Sequence, residues 1–189
     1  MTARASTIHV ALLRGINVSG KNKLPMAELA QMFEDAGCQE VETYIQSGNV
    51  VFAAAARLAR RVPTTIRETI SESFGYDVPV IIRSTGELES IARDNPFVIE
   101  RAEPKALHVA FLAKEPASTQ IADLDAHRSP PDRFAVLGRE IYLCCPQGMG
   151  RSKLTTAYFD AKLKTTTTIR NWRTVTRLLE MVVARERSP

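Results

Sequence analysis

Nowhere in the 189 residues do apolar side chains run long enough, about 18 in succession, to cross a bilayer as a helix. No membrane partner is therefore expected. Cysteine is scarce: Cys38, Cys144 and Cys145 are an odd number with no CxxC spacing, which argues against a disulfide framework or a cysteine zinc site. Adjacent Cys144 and Cys145 are expected on opposite faces of a strand, as small apolar side chains. His9, His108 and His127 lack metal-ligand spacing, so no metal is expected. GxSxG, HExxH and paired Cys/His motifs are absent, and no set of side chains identifies a nucleophile or general base. The sequence thus names neither a reaction nor a cofactor. The opening MTARASTIHVALLRG has no long apolar stretch and no small-residue cleavage site, so a secretory signal is not expected and the expected location is the cytoplasm.

What is present is an ordinary globular composition, 44% apolar and 24% charged. The net charge of +4 is uneven. Residues 151–189 hold nine Lys/Arg and three Asp/Glu, a balance of +6, which leaves −2 for residues 1–150. A basic excess at one end favours an anionic partner there.

Apolar periodicity places strands at 8–13, 41–45, 49–52 and 77–82, and helices from Pro25 to about residue 36, over 58–74 and over 85–93. The order returns after residue 105, with strands at 107–112, 134–137, 140–144 and 165–169 and helices at 118–125, 152–163 and 171–184. Ser47-Gly48 and Gly138-Arg139 mark hairpin turns. Thr85, Ser152 and Asn171 read as helix N-caps. Ile8–Leu13 aligns with Leu107–Leu112 at an offset of 99, and Val80–Arg83 with Thr167–Arg170 at 87. The unit β-α-β-β-α-β is the ferredoxin-like plait. The expected fold class is α+β: two tandem ferredoxin-like (alpha-beta plait) subdomains related by internal duplication, with antiparallel sheets. Residues 1–95 are the first subdomain, 96–105 a linker bracketed by Pro96 and Pro104, and 106–189 the second, ending in a basic helix. Ile8, Val10 and Leu12 are expected to face the helices, with His9 on the other side.

Four segments carry the polar chemistry. Arg14 to Lys23 joins a strand to a helix with two glycines and three cations, a combination suited to anions. Gly15 to Lys21 satisfies GxxxxGK, but Asn22 stands where a P-loop needs Ser or Thr and the helix starts later, near Pro25. Pro146 to Lys153 is a second glycine-rich basic loop. Tyr44 to Asn49 packs Gln46, Ser47 and Asn49 into one turn around Gly48. Arg170-Asn171-Trp172-Arg173 flanks the lone tryptophan with arginines, an arrangement able to stack a base. An RNA-recognition module is not expected, because such modules need aromatics on the central strands and these offer Phe52, then Phe111 and Tyr142.

The segments ALLRGINVSGKNKLPMAEL, YIQSGNVVF, GRSKLTTAYFDAKL and TTIRNWRTVTRLLEM resemble the bacterial "domain of unknown function 1697" family, over roughly residues 7–183. The resemblance implies two plait-type subdomains and no known activity. Its shared positions fall here on Arg14, Gly15, Asn17, Gly20, Lys21, Gln46, Ser47, Gly48, Asn49, Ser152, Lys153, Arg170, Asn171 and Trp172, and Ser19 stands where the family usually has Gly. These positions, Gly48 apart, are the expected ligand-binding residues. The expected function is a binding module for a small phosphorylated or nucleotide-like ligand at the glycine-rich basic loops. The alternatives are a nucleic-acid-binding protein acting through the basic C-terminal region and a structural or protein-interaction domain.

Overall fold

The computed structural model describes residues 6–18 and 20–187. The chain divides into two compact units, Met1–Leu88 with Leu178–Pro189, and Glu89–Arg177. In the first, β1 (Thr7–Leu13), β2 (Gln39–Tyr44), β3 (Asn49–Ala54) and β4 (Val80–Ser84) form one antiparallel sheet in the order β2-β3-β1-β4. The helices of this unit are α1 (Met26–Asp35), the short α2 (Ala56–Ala59) and α3 (Val62–Phe74). α1 buries Leu29, Met32 and Phe33, and α3 buries Val62, Ile66 and Ile70, spacings of three and four that put each set on one helix face. Both sets pack with Ala11, Leu13, Val50, Phe52 and Ala54 of the sheet. Each larger side chain so buried contributes roughly 1.5–3 kcal/mol.

This packing corrects the expected facing of β1. Ala11 and Leu13, not Val10 and Leu12, look toward α1 and α3, and His9 shares their face. Its ring lies 5.5 Å from that of Phe52, which meets Phe33 of α1 at 5.3 Å. Val10 and Leu12 on the other face are also 0% exposed. With both faces buried, alternation along the strand carries no sign of which face takes the helices.

The chain continues through α4 (Thr85–Arg93) and α5 (Pro96–Ile99) into the second unit. There β5 (Leu107–Leu112), β6 (Arg133–Leu137), β7 (Glu140–Cys144) and β8 (Thr167–Asn171) form a second antiparallel sheet, in the order β6-β7-β5-β8. α6 (Ser118–Ala122) and α7 (Thr156–Leu163) precede β6 and β8, and α8 (Trp172–Glu186) follows. Leu154, Tyr158, Phe159 and Leu163 pack on Ala110, Leu112, Ile141 and Leu143. The fold is α+β, two ferredoxin-like sheets in tandem, each with its own helices. Among the described residues no helix is long and apolar enough to cross a membrane.

Several local expectations shift for identifiable reasons. The helix expected over 58–74 is two helices, because Pro63 has no N–H to continue the ladder and instead sits in the first turn of α3. The cap of α4 is Ser84, not Thr85: Ser84 N donates to Glu87 Oε2 (2.8 Å) while Ser84 Oγ accepts from Glu87 N (3.4 Å), a reciprocal pair. Thr85 Oγ1 instead donates to Ile8 O. α7 begins after Thr155, whose hydroxyl accepts from Tyr158 N, three residues beyond Ser152. Residues 96–105, expected as a linker, contain α5 and the start of a 3-10 turn at Pro104–Ala106. Asn95 caps α5 through Phe97 N, and buried Phe97 lies under the Arg133 guanidinium at 4.9 Å. The prolines here begin helical turns instead of spacing an open tether. Residues from Leu178 onward count with the first unit, where Arg185 pairs with Glu42 of β2.

Candidate functional site: the two glycine-rich basic loops

The loop between β1 and α1 is braced from within. Asn17 Nδ2 donates to Leu24 O (2.9 Å) and Gln46 O (3.0 Å), and its Oδ1 accepts from Leu24 N (2.9 Å). Asn22 Nδ2 donates to Gly15 O (3.0 Å), and Asn17 N to Asn22 O (3.1 Å). Gly15, Asn17, Gly20 and Asn22 all have left-handed backbone, with φ of 73, 54, 76 and 48°. Glycine and asparagine are the residues that reach this region at least cost, so the motif's glycines and asparagines curl the loop.

The β2–β3 turn is tied to the same loop through the Asn17 to Gln46 bond. Gly48 turns with φ 74°, and its carbonyl accepts from Leu13 N (2.8 Å). Asn49, 0% exposed, donates from Nδ2 to Tyr44 O and Ser47 Oγ, both at 3.0 Å. The first unit therefore brings Arg14, Gly15, Asn17, Gly20, Lys21, Gln46, Ser47 and Asn49 onto adjoining loops. Asn17 and Asn49 are internal staples there. Gly15, Gly20, Lys21, Lys23 and Gln46 are exposed and Arg14 is half-buried. Among the described residues neither Lys21 nor Lys23 has an ion-pair partner. Two aliphatic side chains also face solvent here, Val18 at 55% and Ile45 at 49%. Ile45 does so at φ 49°, an outlier for a β-branched residue. Ser19 lies outside the described residues.

In the second unit Ser152 and Lys153 share one loop. Ser152 Oγ accepts from Leu154 N (3.0 Å), and Lys153 N donates to Ser129 Oγ (3.0 Å), whose own proton goes to Asp132 Oδ2 (2.8 Å). Arg128 Nε donates to Lys153 O (3.1 Å), and its Cζ stands 4.1 Å from the centre of the Tyr158 ring. Arg128 and Tyr158 were not expected at a site. The stretch 125–132 reads locally as a polar turn, and nothing in it signals which loop it meets.

Arg170, Asn171 and Trp172 lie at the end of β8. Arg170 is buried, its Nη1 donating to Thr168 Oγ1 (2.8 Å) and Ile169 O (3.0 Å), and burial lowers its pKa to about 10. Asn171 Oδ1 accepts from Thr174 N (2.8 Å), as a helix cap does. Trp172 is half-buried. The central-strand aromatics Phe52, Phe111 and Tyr142 are 0%, 0% and 2% exposed, which leaves no stacking platform on them. All three cysteines are buried, and burial pushes the Cys38 and Cys145 thiols up to about 11. Among the described residues no three His, Cys, Asp or Glu side chains cluster as metal ligands.

Residues 7–142 match the model of the family described as "Protein of unknown function (DUF1697)". The chain belongs to the DUF1697 family. The match covers the first-unit loops of this DUF1697 protein and stops short of Ser152 to Trp172. Comparison with curated proteins found no match. Among solved structures, the DUF1697 chain is similar to a conserved bacterial protein, SP0830 from Streptococcus pneumoniae. The two are 23% identical with a TM-score of 0.74 over 94% of this chain and 99% of that one, a likeness of fold. A putative glycine cleavage system transcriptional repressor aligns at 11% identity and a TM-score of 0.27, over 89% of this chain and 98% of that one, too low to indicate a shared fold.

Proposed function

We propose that this DUF1697 protein is a binding module for a small phosphorylated or nucleotide-like ligand, engaged by the basic loop from Arg14 to Lys23. The observation that carries this reading is the Asn17 clamp. It ties the loop to Leu24 and Gln46 with Gly15, Asn17, Gly20 and Asn22 left-handed, while Lys21 and Lys23 stay exposed and, among the described residues, without ion-pair partners. A loop ordered before binding gives up less entropy when it takes a ligand. Ser152 and Lys153 extend the same chemistry on the second unit. Nucleic-acid binding through the C-terminal region is the weaker reading, since Arg170 is buried and Arg185 is paired with Glu42. In the same reading the protein is bacterial and cytoplasmic. Its two units are copies of one plait, a view supported by their common strand order and by Arg83 opposite Val10 where Arg170 is opposite Val109.

A thermal-shift panel of ATP, GTP, ADP, nucleotide sugars, phosphate and short RNA at two salt concentrations tests this. A ligand at about 100 times its Kd adds roughly 2.7 kcal/mol, or about 5–10 °C in Tm for a chain of this size. The expected result is a rise with a small phosphorylated compound that Lys21→Ala diminishes. A rise that Lys21→Ala leaves undiminished, or none with any compound, overturns the proposal. A salt-sensitive rise with RNA alone transfers the function to nucleic acid.

A further inference from the structure

Arg128 is held as a ligand-binding arginine is held. Its guanidinium lies over the Tyr158 ring at 4.1 Å, and its Nε is fixed on Lys153 O at 3.1 Å. Tyr158 is itself 7% exposed, and its hydroxyl oxygen accepts from Asp125 N (2.8 Å), so the ring cannot swing away. Stacking uses one face of the guanidinium and the carbonyl uses one of its five N–H groups, which leaves the Nη edge for a two-point contact with an oxyanion. Lys153 comes from the neighbouring loop, locked to the same turn by Ser129, and exposed Arg151 ends the 3-10 turn before it. Among the described residues none of Arg128, Arg151 and Lys153 has a carboxylate partner. Of the acids in the turn, Asp132 is buried against Ser129, and Asp125 Oδ1 accepts from His127 N (2.9 Å). Neither reaches the cations within ion-pair distance.

We infer that Arg128, with Arg151 and Lys153, forms a phosphate site on the second unit, with Arg128 making the bidentate contact. The site takes the phosphate of a small monoester or of a nucleic-acid diester. It deepens the part of the proposed function that rests on Lys153 and uses none of the residues of the first-unit loop, so the loop at Lys21 and this site can fail separately.

The test is a ¹H–¹⁵N NMR titration of the full chain with inorganic pyrophosphate, following Arg128 Nε–H and the Lys153 amide. Saturable shifts at both are expected. Arg128→Lys keeps the charge but loses the planar fork, and is expected to weaken binding about tenfold. Lys21→Ala is expected to leave these shifts unchanged. Shifts at Lys21 with none at Arg128 and Lys153 would overturn this inference while supporting the first-unit loop; the converse would do the reverse. Unchanged affinity in Arg128→Lys would also overturn it, by showing that Arg128 only pins its loop. Parallel titrations with AMP and with an oligothymidylate separate the monoester from the diester source.

Discussion

At Gly48 the φ of 74° and the lack of a side chain are both required, because a Cβ there would stand 2.7 Å from Leu13 Cβ and 2.8 Å from Ile16 Cδ1. Gly20, in the same pair of loops at φ 76°, has nothing within 4 Å of that position. Two glycines of one motif thus have different reasons. Gly20→Ala is expected to cost only the left-handed backbone, about 1 kcal/mol. Gly48→Ala adds the overlap with two core side chains, for a total of roughly 3 kcal/mol. Urea denaturation of the two variants checks the difference, and equal losses would refute it. The turn at Gly48 was legible in Ser47-Gly48. The pressure of Leu13 and Ile16 was not, since they arrive from 30 or more positions away in the chain. Asn17 was legible as part of a polar motif, but its work as a clamp depends on Gln46 O, which only folding brings within 3.0 Å.

Strands at Leu107–Leu112 and Glu140–Cys144 coincide with the apolar runs that mark them, whereas the helix starts moved. A hydroxyl before an apolar run looks the same whether it caps a helix or closes a turn. Ser152 binds the N–H two residues on and Thr155 the one three residues on, and only the latter opens α7. Thr155→Ala is therefore expected to cost about 1 kcal/mol, and Ser152→Ala about 0.5 kcal/mol for one half-buried hydrogen bond. Thermal or chemical unfolding of the pair distinguishes them, and a larger loss at Ser152 would return the cap to that position.

For the whole chain, acid is expected to weaken the fold through its two strand histidines. Burial holds His9 below its ordinary 6.5, against the opposing pull of the Ala54 carbonyl and Glu87, and burial likewise lowers His108 against the Ala106 carbonyl. A histidine lowered in the folded state takes its proton first in the unfolded one. The stability it contributes is complete above pH of about 6.5 and is lost as pH falls from there through the folded value. Tm should therefore begin to drop as pH falls below about 6.5, above most carboxylate titration. His9→Gln with His108→Gln should flatten that drop, and an unchanged slope in the double variant would assign it to other groups.

The sequence by itself determined the order of the strands and longer helices, the repeated β-α-β-β-α-β pattern and the hairpin turns. These rest on periodicity and on residues acting over a few positions. It also marked the polar loops, as runs of glycine and cations that no core position would hold. The tertiary structure alone decided which face of β1 meets α1 and α3, that Arg170 is buried while Lys21 is exposed, that residues 178–187 count with the first unit, and that Arg128 lies on Tyr158. Each of these depends on groups far apart in the chain becoming neighbours, and both faces of a sheet strand can be apolar without saying what will cover them.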